Sequence, residues 1–207
     1  MKLTCKKCRR LGVSICGKTR CAIARKPYPP GKTPGKGRRG MGWSGGPMSD
    51  FARQLRDKQI VKFTYGLRER QFKNYVVKSM AAKGRSSTQN LIGALESRLD
   101  NVVYRLNFTK SRKFARQLVS HGHILVNDRK MTIPSYQVKV GDRVAIRPGS
   151  RQKGFTRDLG ISLKKYVAPD WLELDKENIS GLIKGRPQAS SINLAGNINA
   201  VVEFYSR

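Results

Sequence analysis

The chain has 207 residues, 43 Lys and Arg against 13 Asp and Glu, a formal charge of +30 and 38% hydrophobic content. Self-repulsion on that scale opposes compaction, and a phosphate backbone relieves it while releasing counterions, so nucleic acid is the expected partner. No apolar run approaches the roughly 18 residues of a membrane span, and Met1-Lys2-Leu3-Thr4-Cys5 runs straight into charge rather than into a signal-peptide core. The expectation is therefore no membrane partner and a cytoplasmic location.

All four cysteines fall in the first stretch, spaced Cys5-x2-Cys8-x7-Cys16-x4-Cys21. In a reducing compartment two close pairs favour a metal over disulfides. Four thiolates enclose Zn²⁺ tetrahedrally; an iron–sulfur cluster is the less favoured occupant, and uncomplexed thiols are the bland alternative. Lys6, Lys7, Arg9, Arg10, Lys18 and Arg20 offset the negative charge of such a complex, and Gly12 and Gly17 are placed to fold the loop back. With four ligands there is no open position for catalysis. The knuckle then acts as a staple that displays Arg9 and Arg10.

Residues 22–48 are rich in Gly and Pro, carry Lys and Arg, and contain no acid. With no periodicity and little apolar surface, this arm is expected to order only on RNA, where uncovered backbone approaches phosphates, Arg38 and Arg39 supply charge and Trp43 stacks; a plain linker is the alternative. Gly31-Lys32-Thr33 resembles the end of a phosphate-binding loop, but Lys26 stands where its first glycine belongs, so that motif is rejected.

From Ser49 the pattern becomes helical. Ser49 or Asp50 caps a helix with Phe51, Leu55, Val61, Phe63 and Tyr65 as apolar contacts, ended by Gly66. A second helix carries Phe72, Tyr75, Val76 and Met80 and stops near Gly84. Thr88 or Asn90 opens a third, whose Leu91, Leu95, Leu99, Val102, Val103 and Leu106 recur at helical spacing, with a break near Asp100. Because acid is scarce here, the cationic faces between these stripes are read as RNA contacts rather than ordinary solvated surface.

Residues 98–147 carry the strongest pattern. At 100° per residue, Phe114, Leu118, Ala115 and Val119 share one arc, and Lys110, Arg112, Lys113, Arg116 and Ser120 the other. Residues 123–126 and 130–133 read as strands around Asn127-Asp128-Arg129, and residues 138–147 as a second hairpin through Gly141-Asp142. A cationic helix on a compact αα-plus-hairpin unit reads as an RNA-docking module, against the plainer alternative of a solvated helix.

A-form RNA displays phosphates and 2′-hydroxyls over a shallow minor groove, so recognition of junction shape is expected. The candidate phosphate contacts are Arg53, Arg56, Lys62, Arg68, Arg70, Lys73, Arg112, Lys113 and Arg116. Gln71 and Gln117 are assigned sugar or base edges, Tyr65 or Tyr75 stacking, and His121, beside His123, a phosphate-facing or capping role rather than metal ligation. Trp171, in an apolar run, is assigned to packing.

The motifs Leu55-Arg56-Asp57-Lys58-Gln59, Glu69-Arg70-Gln71-Phe72, Leu95-Glu96-Ser97-Arg98-Leu99-Asp100-Asn101-Val102-Val103-Tyr104-Arg105, Ala115-Arg116-Gln117-Leu118-Val119-Ser120-His121, Ile124-Leu125-Val126-Asn127, Pro169-Asp170-Trp171-Leu172-Glu173 and Val202-Glu203-Phe204-Tyr205-Ser206 occur in order over nearly the whole chain. In this it resembles the bacterial small-subunit ribosomal protein four family. The resemblance implies a structural rRNA binder, not an enzyme, which nucleates assembly of the small-subunit body at a junction in the five-prime rRNA domain and contributes to translational accuracy. It also implies contact with small-subunit ribosomal proteins five and three and with mRNA at the tunnel where mRNA enters, with no homo-oligomer. A free RNA chaperone or an rRNA-modifying factor carrying the same module is the alternative.

The expected fold class is α+β: a mainly helical domain plus an inserted αα/β-hairpin RNA-binding module, with an N-terminal four-cysteine zinc knuckle and an extended basic arm. Residues 1–48 form knuckle and arm, residues 49–97 the helical domain with the C-terminal segment 168–207 packing back on it, and residues 98–167 the module and its connection; the resemblance implies that a C-terminal strand returns to the body of the protein.

Overall fold

The computed structural model describes residues 5–17, 20–31, 48–152, 154–156, 159–164, 166–188, 192 and 194–206. Two compact units emerge, one of Met1–Lys83 with Asn193–Arg207 and one of Gly84–Ile192.

In the first unit, α1 (Cys5–Leu11) and α2 (Ala22–Arg25) precede α3 (Asp50–Thr64) and α4 (Glu69–Ala81). Ser49 caps α3, its Oγ accepting from Ala52 N, and Gly66 takes the left-handed φ of 65° that lets the chain leave the helix. Ile60, Val61, Tyr65, Leu67, Phe72 and Val76 are buried. Val202-Glu203-Phe204-Tyr205-Ser206 is not a strand: it belongs to α9 (Ile198–Ser206), which packs against α3 and α4. Gly196 permits the approach, since a Cβ there would lie 3.1 Å from methyls of Ile60 and Val61. Phe51 meets Phe204 at 5.6 Å between ring centroids, and Phe72 meets Tyr205 edge-on at 6.2 Å.

The second unit begins with α5 (Ser87–Glu96), capped by Ser86 rather than Thr88 or Asn90, and α6 (Leu99–Arg105). The break between them falls at Ser97-Arg98, ahead of the expected Asp100. Its cause is tertiary: Arg98 bridges Gln137 in antiparallel fashion, Val138 N donates to Ser97 O and Leu99 N to Tyr136 O, which draws the backbone into an extended conformation. Next come α7 (Arg112–Ser120), capped by Ser111, then β1 (Ile124–Val126), β2 (Arg129–Met131) and β3 (Arg143–Ile146). The β1–β2 loop has two residues, because Val126 pairs with Arg129; Asn127 and Asp128 take φ of 49° and 61°, a primed turn whose twist matches the strands.

The second hairpin expected over residues 138–147 does not form. Asp142 takes Lys139 N on Oδ2 and Asn127 Nδ2 on Oδ1, closing a turn, and β3 instead pairs with β1 and with a strand much later in the chain. After α8 (Leu159–Lys164), β4 (Leu172–Asp175) and β5 (Ser180–Ile183) complete an antiparallel five-stranded sheet in the order β2-β1-β3-β5-β4. The boundary expected at residue 168 therefore moves: β4 and β5 join the module's sheet, and only the helix beyond them rejoins α3. Residues 84–97, assigned to the helical domain, cluster with the module instead.

One core ties these parts together. Leu99, Val102 and Val103 of α6 with Leu106 at its C-cap, Ala115 and Val119 of α7, Ile124, Val144 and Ile146 of the sheet, Leu159 and Leu163 of α8, and Trp171 all bury into it. Trp171 packs as its apolar run suggested. Phe114, placed on the apolar arc of α7, is 36% exposed and outside this core. At Gly181 a Cβ would lie 2.3 and 2.7 Å from the two Leu106 methyls, so β5 passes over α6 at a distance only glycine allows. Gly181→Ala is expected to overpack this contact and cost about 1 to 3 kcal/mol, read as a lower midpoint in urea with an unchanged slope.

Candidate nucleic-acid interface and thiol cluster

The cationic helix α7 owes its orientation to acids beneath it. Asp100, 3% exposed at the start of α6, accepts from Arg98 Nε at 3.0 Å on Oδ1 and Arg98 Nη2 at 2.7 Å on Oδ2. The same Oδ2 takes Arg116 Nε at 2.9 Å and Nη2 at 2.6 Å from α7. Its neighbour Asn101 accepts from Arg112 Nε at 2.7 Å and donates to Glu96 O at 3.1 Å and Oε2 at 2.7 Å. Glu96, fully buried, also takes Arg105 Nε at 2.9 Å and Nη2 at 2.8 Å. The Arg112 guanidinium lies 4.3 Å over the Tyr104 ring. Two carboxylates thus organise three arginines, while a neutral amide and a ring hold the fourth.

Buried ion pairs add little net stability, because desolvation offsets attraction; what they supply is orientation. Arg116 is 32% exposed at the side chain, so its planar fork is set at the surface with rotamer freedom already lost. Lys113 and Gln117, one helical turn apart, are exposed beside it. His121 is exposed as the C-cap of α7, its N–H donating to Gln117 O and Val119 O, while the His123 ring pairs through Nδ1 with Ser150 Oγ at 2.9 Å.

The candidates of the first unit divide. Arg68, Arg70 and Lys73 are exposed, Gln71 is half-buried, and Arg53 sits at the surface against Asp50 at 3.1 Å. Three others do not face outward as expected. Tyr65 is 3% exposed in the core, which removes it as a stacking platform. Lys62 is buried with Lys58 on Glu69, at 2.6 and 2.7 Å, because α4 brings that carboxylate against α3. Arg56 donates through Nε to Leu11 O at 2.9 Å. Arg9 likewise turns inward, donating to the carbonyls of Lys26, Tyr28 and Pro29, and only Arg10 of that pair is exposed. Burial would raise the Glu69 pKa, but donation from Lys58, Lys62 and Tyr205 brings it down to about 2. Arg38, Arg39 and Trp43 lie outside the described residues.

Around α1 the thiols converge. Cys5 and Cys8 sit one turn apart, and Gly12 and Gly17, at φ of 70° and 66°, return the chain so that the sulfurs of Cys5, Cys16 and Cys21 lie within 4.8 Å of one another. Cys8, fully buried, hydrogen-bonds to Cys16 and Cys21. Burial and those thiol contacts push the Cys8 thiol up to about 12. At Cys21, burial is outweighed by donation from Ile23 N and from Ser14, Cys16 and Cys8, leaving it at about 7.

Residue types at the surface foretold α7, but not its anchors. The pattern marks Asp100 as a break in the helix and gives Glu96, Asp100 and Asn101 no anchoring role; the available signal is charge inside an otherwise apolar arc, in a chain where acid is rare. In fold and site, the second unit is a compact α+β module presenting an oriented arginine helix, and residues 97–144 match the family model described as S4 domain. Residues 2–96 match the model described as Ribosomal protein S4/S9 N-terminal domain. Relatives described as small ribosomal subunit protein uS4 include one from Roseiflexus castenholzii, 43% identical over 201 residues, covering 96% of this chain and 94% of the relative. Another, from Thermus thermophilus, is 42% identical over 209 residues, covering 98% and 96%. The chain belongs to the uS4 ribosomal protein family.

Among the described residues no helix is long and apolar enough to cross a membrane. Asp100→Ala strands the Arg98 guanidinium, 2% exposed, without its carboxylate. The expected cost is about 3 to 5 kcal/mol, measured by chemical denaturation of the full chain.

Proposed function

We propose that this protein is a structural constituent of the small ribosomal subunit, working in the cytoplasm without catalysis, and binds small-subunit rRNA through the exposed face of α7. The observation that carries this reading is the Asp100–Arg116 and Asn101–Arg112 pairing, which aims two guanidiniums from a rigid module in a chain of charge +30. Pre-oriented arginines fit a phosphate backbone of fixed geometry better than mobile lysines do. Membership of the family supports the finer reading: binding at a five-prime-domain junction, nucleation of subunit assembly, a contribution to translational accuracy, and contact with ribosomal proteins five and three and with mRNA where it enters. Arg10, Arg53, Arg68, Arg70, Gln71, Lys73, Lys113, Gln117 and His121 extend the proposed RNA surface within their respective units.

The thiol cluster fits a structural Zn²⁺. A tetrahedral ion with Zn–S of about 2.3 Å separates its sulfurs by about 3.8 Å, inside the 4.8 Å spread of Cys5, Cys16 and Cys21. Cys8 lies outside that spread but hydrogen-bonds to Cys16 and Cys21, and would supply the fourth ligand. The ion would fasten α1 to the turn before α2, a segment with little apolar core of its own. An iron–sulfur cluster on the same thiolates is distinguished by its visible absorbance.

Two measurements test these assignments. Arg112→Ala with Arg116→Ala is expected to weaken binding to a small-subunit rRNA transcript by about 1 to 3 kcal/mol in total and to flatten the log–log salt slope by about 1 to 2. Because both arginines also hold α7, Lys113→Ala with Gln117→Ala, at exposed positions, should lower affinity with an unchanged melting temperature; no change in either pair removes α7 from the interface. Metal analysis after reducing purification is expected to find about one zinc per chain, and a preparation free of zinc and iron rejects the site.

A further inference from the structure

A groove of about 1080 Å³ opens on the second unit, between α5, residues 137–140 and residues 183–188. It lies outside the arginine set on α7, and none of its lining residues is acidic. Arg85, Lys139 and Arg186 are exposed around it, and Val138, Ile183 and Pro187 form its buried apolar lining. Four carboxamides, Gln89, Asn90, Gln137 and Gln188, also line it, with Asn90 Nδ2 donating to Arg85 O at 3.4 Å and Gln137 Nε2 to Ala94 O at 3.1 Å. Two lining glycines leave room: a Cβ at Gly93, on α5, or at Gly185 would meet nothing within 4 Å.

This combination selects a ligand class. Three cations without an acid attract phosphates, which a purely apolar cleft would not. Carboxamides carry a donor and an acceptor side by side, the pattern that pairs with the edge of a nucleobase, whereas an acidic peptide needs only the cations. The groove's volume lies just above the usual range for small-ligand sites, so it has room for splayed bases, whereas a regular A-form duplex keeps its bases inside and offers only a convex backbone. No aromatic lines it, so bases would stack on the guanidinium planes of Arg85 and Arg186 and on the apolar lining.

We propose that this groove binds unpaired nucleotides of an RNA, a second contact of different character from the phosphate-facing helix α7. The proposal rests on the RNA-binding reading above. It assigns the module two tasks: α7 reads backbone position, and the groove reads unstacked bases.

Gly93 provides the test, because it stands at a groove-lining position where an added Cβ meets nothing within 4 Å, and replacing a helical glycine favours the helix. Binding of the full chain to a fluorescent oligouridylate, to a blunt A-form RNA duplex and to polyglutamate is followed by anisotropy. Gly93→Trp is expected to weaken oligouridylate binding about tenfold while leaving duplex binding within about twofold, and Arg85→Ala with Arg186→Ala to act in the same direction. Circular dichroism and melting temperature confirm that the variants fold. If folded Gly93→Trp binds the oligouridylate as the native chain does, or loses polyglutamate and not oligouridylate, the groove is not a nucleotide site, although duplex binding upholds the broader reading. If the native chain binds neither RNA, both fall together.

Discussion

The Asp100 carboxylate is placed where a lone charge would be strongly destabilising, and it is tolerated because two guanidiniums close on it from different directions. Arg98 comes from the break between α5 and α6, and Arg116 from α7, so one side chain joins a helix start to the cationic helix. Glu96, at the end of α5, holds Asn101 and Arg105 of α6. Much of the module depends on this: the apolar stripe of α6 fixes where α7 lies, and the acids fix how its arginines point.

The arrangement also answers the problem set by the composition. A chain with so few acids cannot neutralise its cations pairwise, so the placement of each carboxylate matters. Glu96 and Asp100 lie inside the second unit, while Glu69 in the first holds Lys58, Lys62 and the Tyr205 hydroxyl. In both places acid is used to bury or orient cation. Lys58 further lies 4.6 Å over the Phe204 ring, so the aromatic end of α9 shares the work of holding a desolvated ammonium.

The sheet supports these surfaces rather than forming one. Its central strand β3 pairs with β1 from the module's first hairpin and with β5 from residues 180–183, far along the chain. The late hairpin supplies Trp171, Leu172 and Ile183 to a core that α6 and α7 begin. The same late segment, with α5, walls the acid-free groove, so the elements that complete the core also create the concavity.

What the sequence determined by itself was whatever is periodic or local. The amphipathic arc of α7, the apolar stripe of α6, the cap at Ser49, the stop at Gly66, the cysteine spacing and the charge excess are all readable because they depend on residues within a few positions of one another. Only the tertiary structure decided the rest. Periodicity could not separate α5 from α6, since the break comes from backbone pairing of Arg98 with Gln137. It could not reveal that Tyr65 and Lys62 face inward, since a cation or a phenol on a helix has no visible orientation until α4 and α9 pack there. Nor could it distinguish a second local hairpin from a strand awaiting β5, because an edge finds its partner by sheet geometry over long separations, which leaves no trace in neighbouring residues.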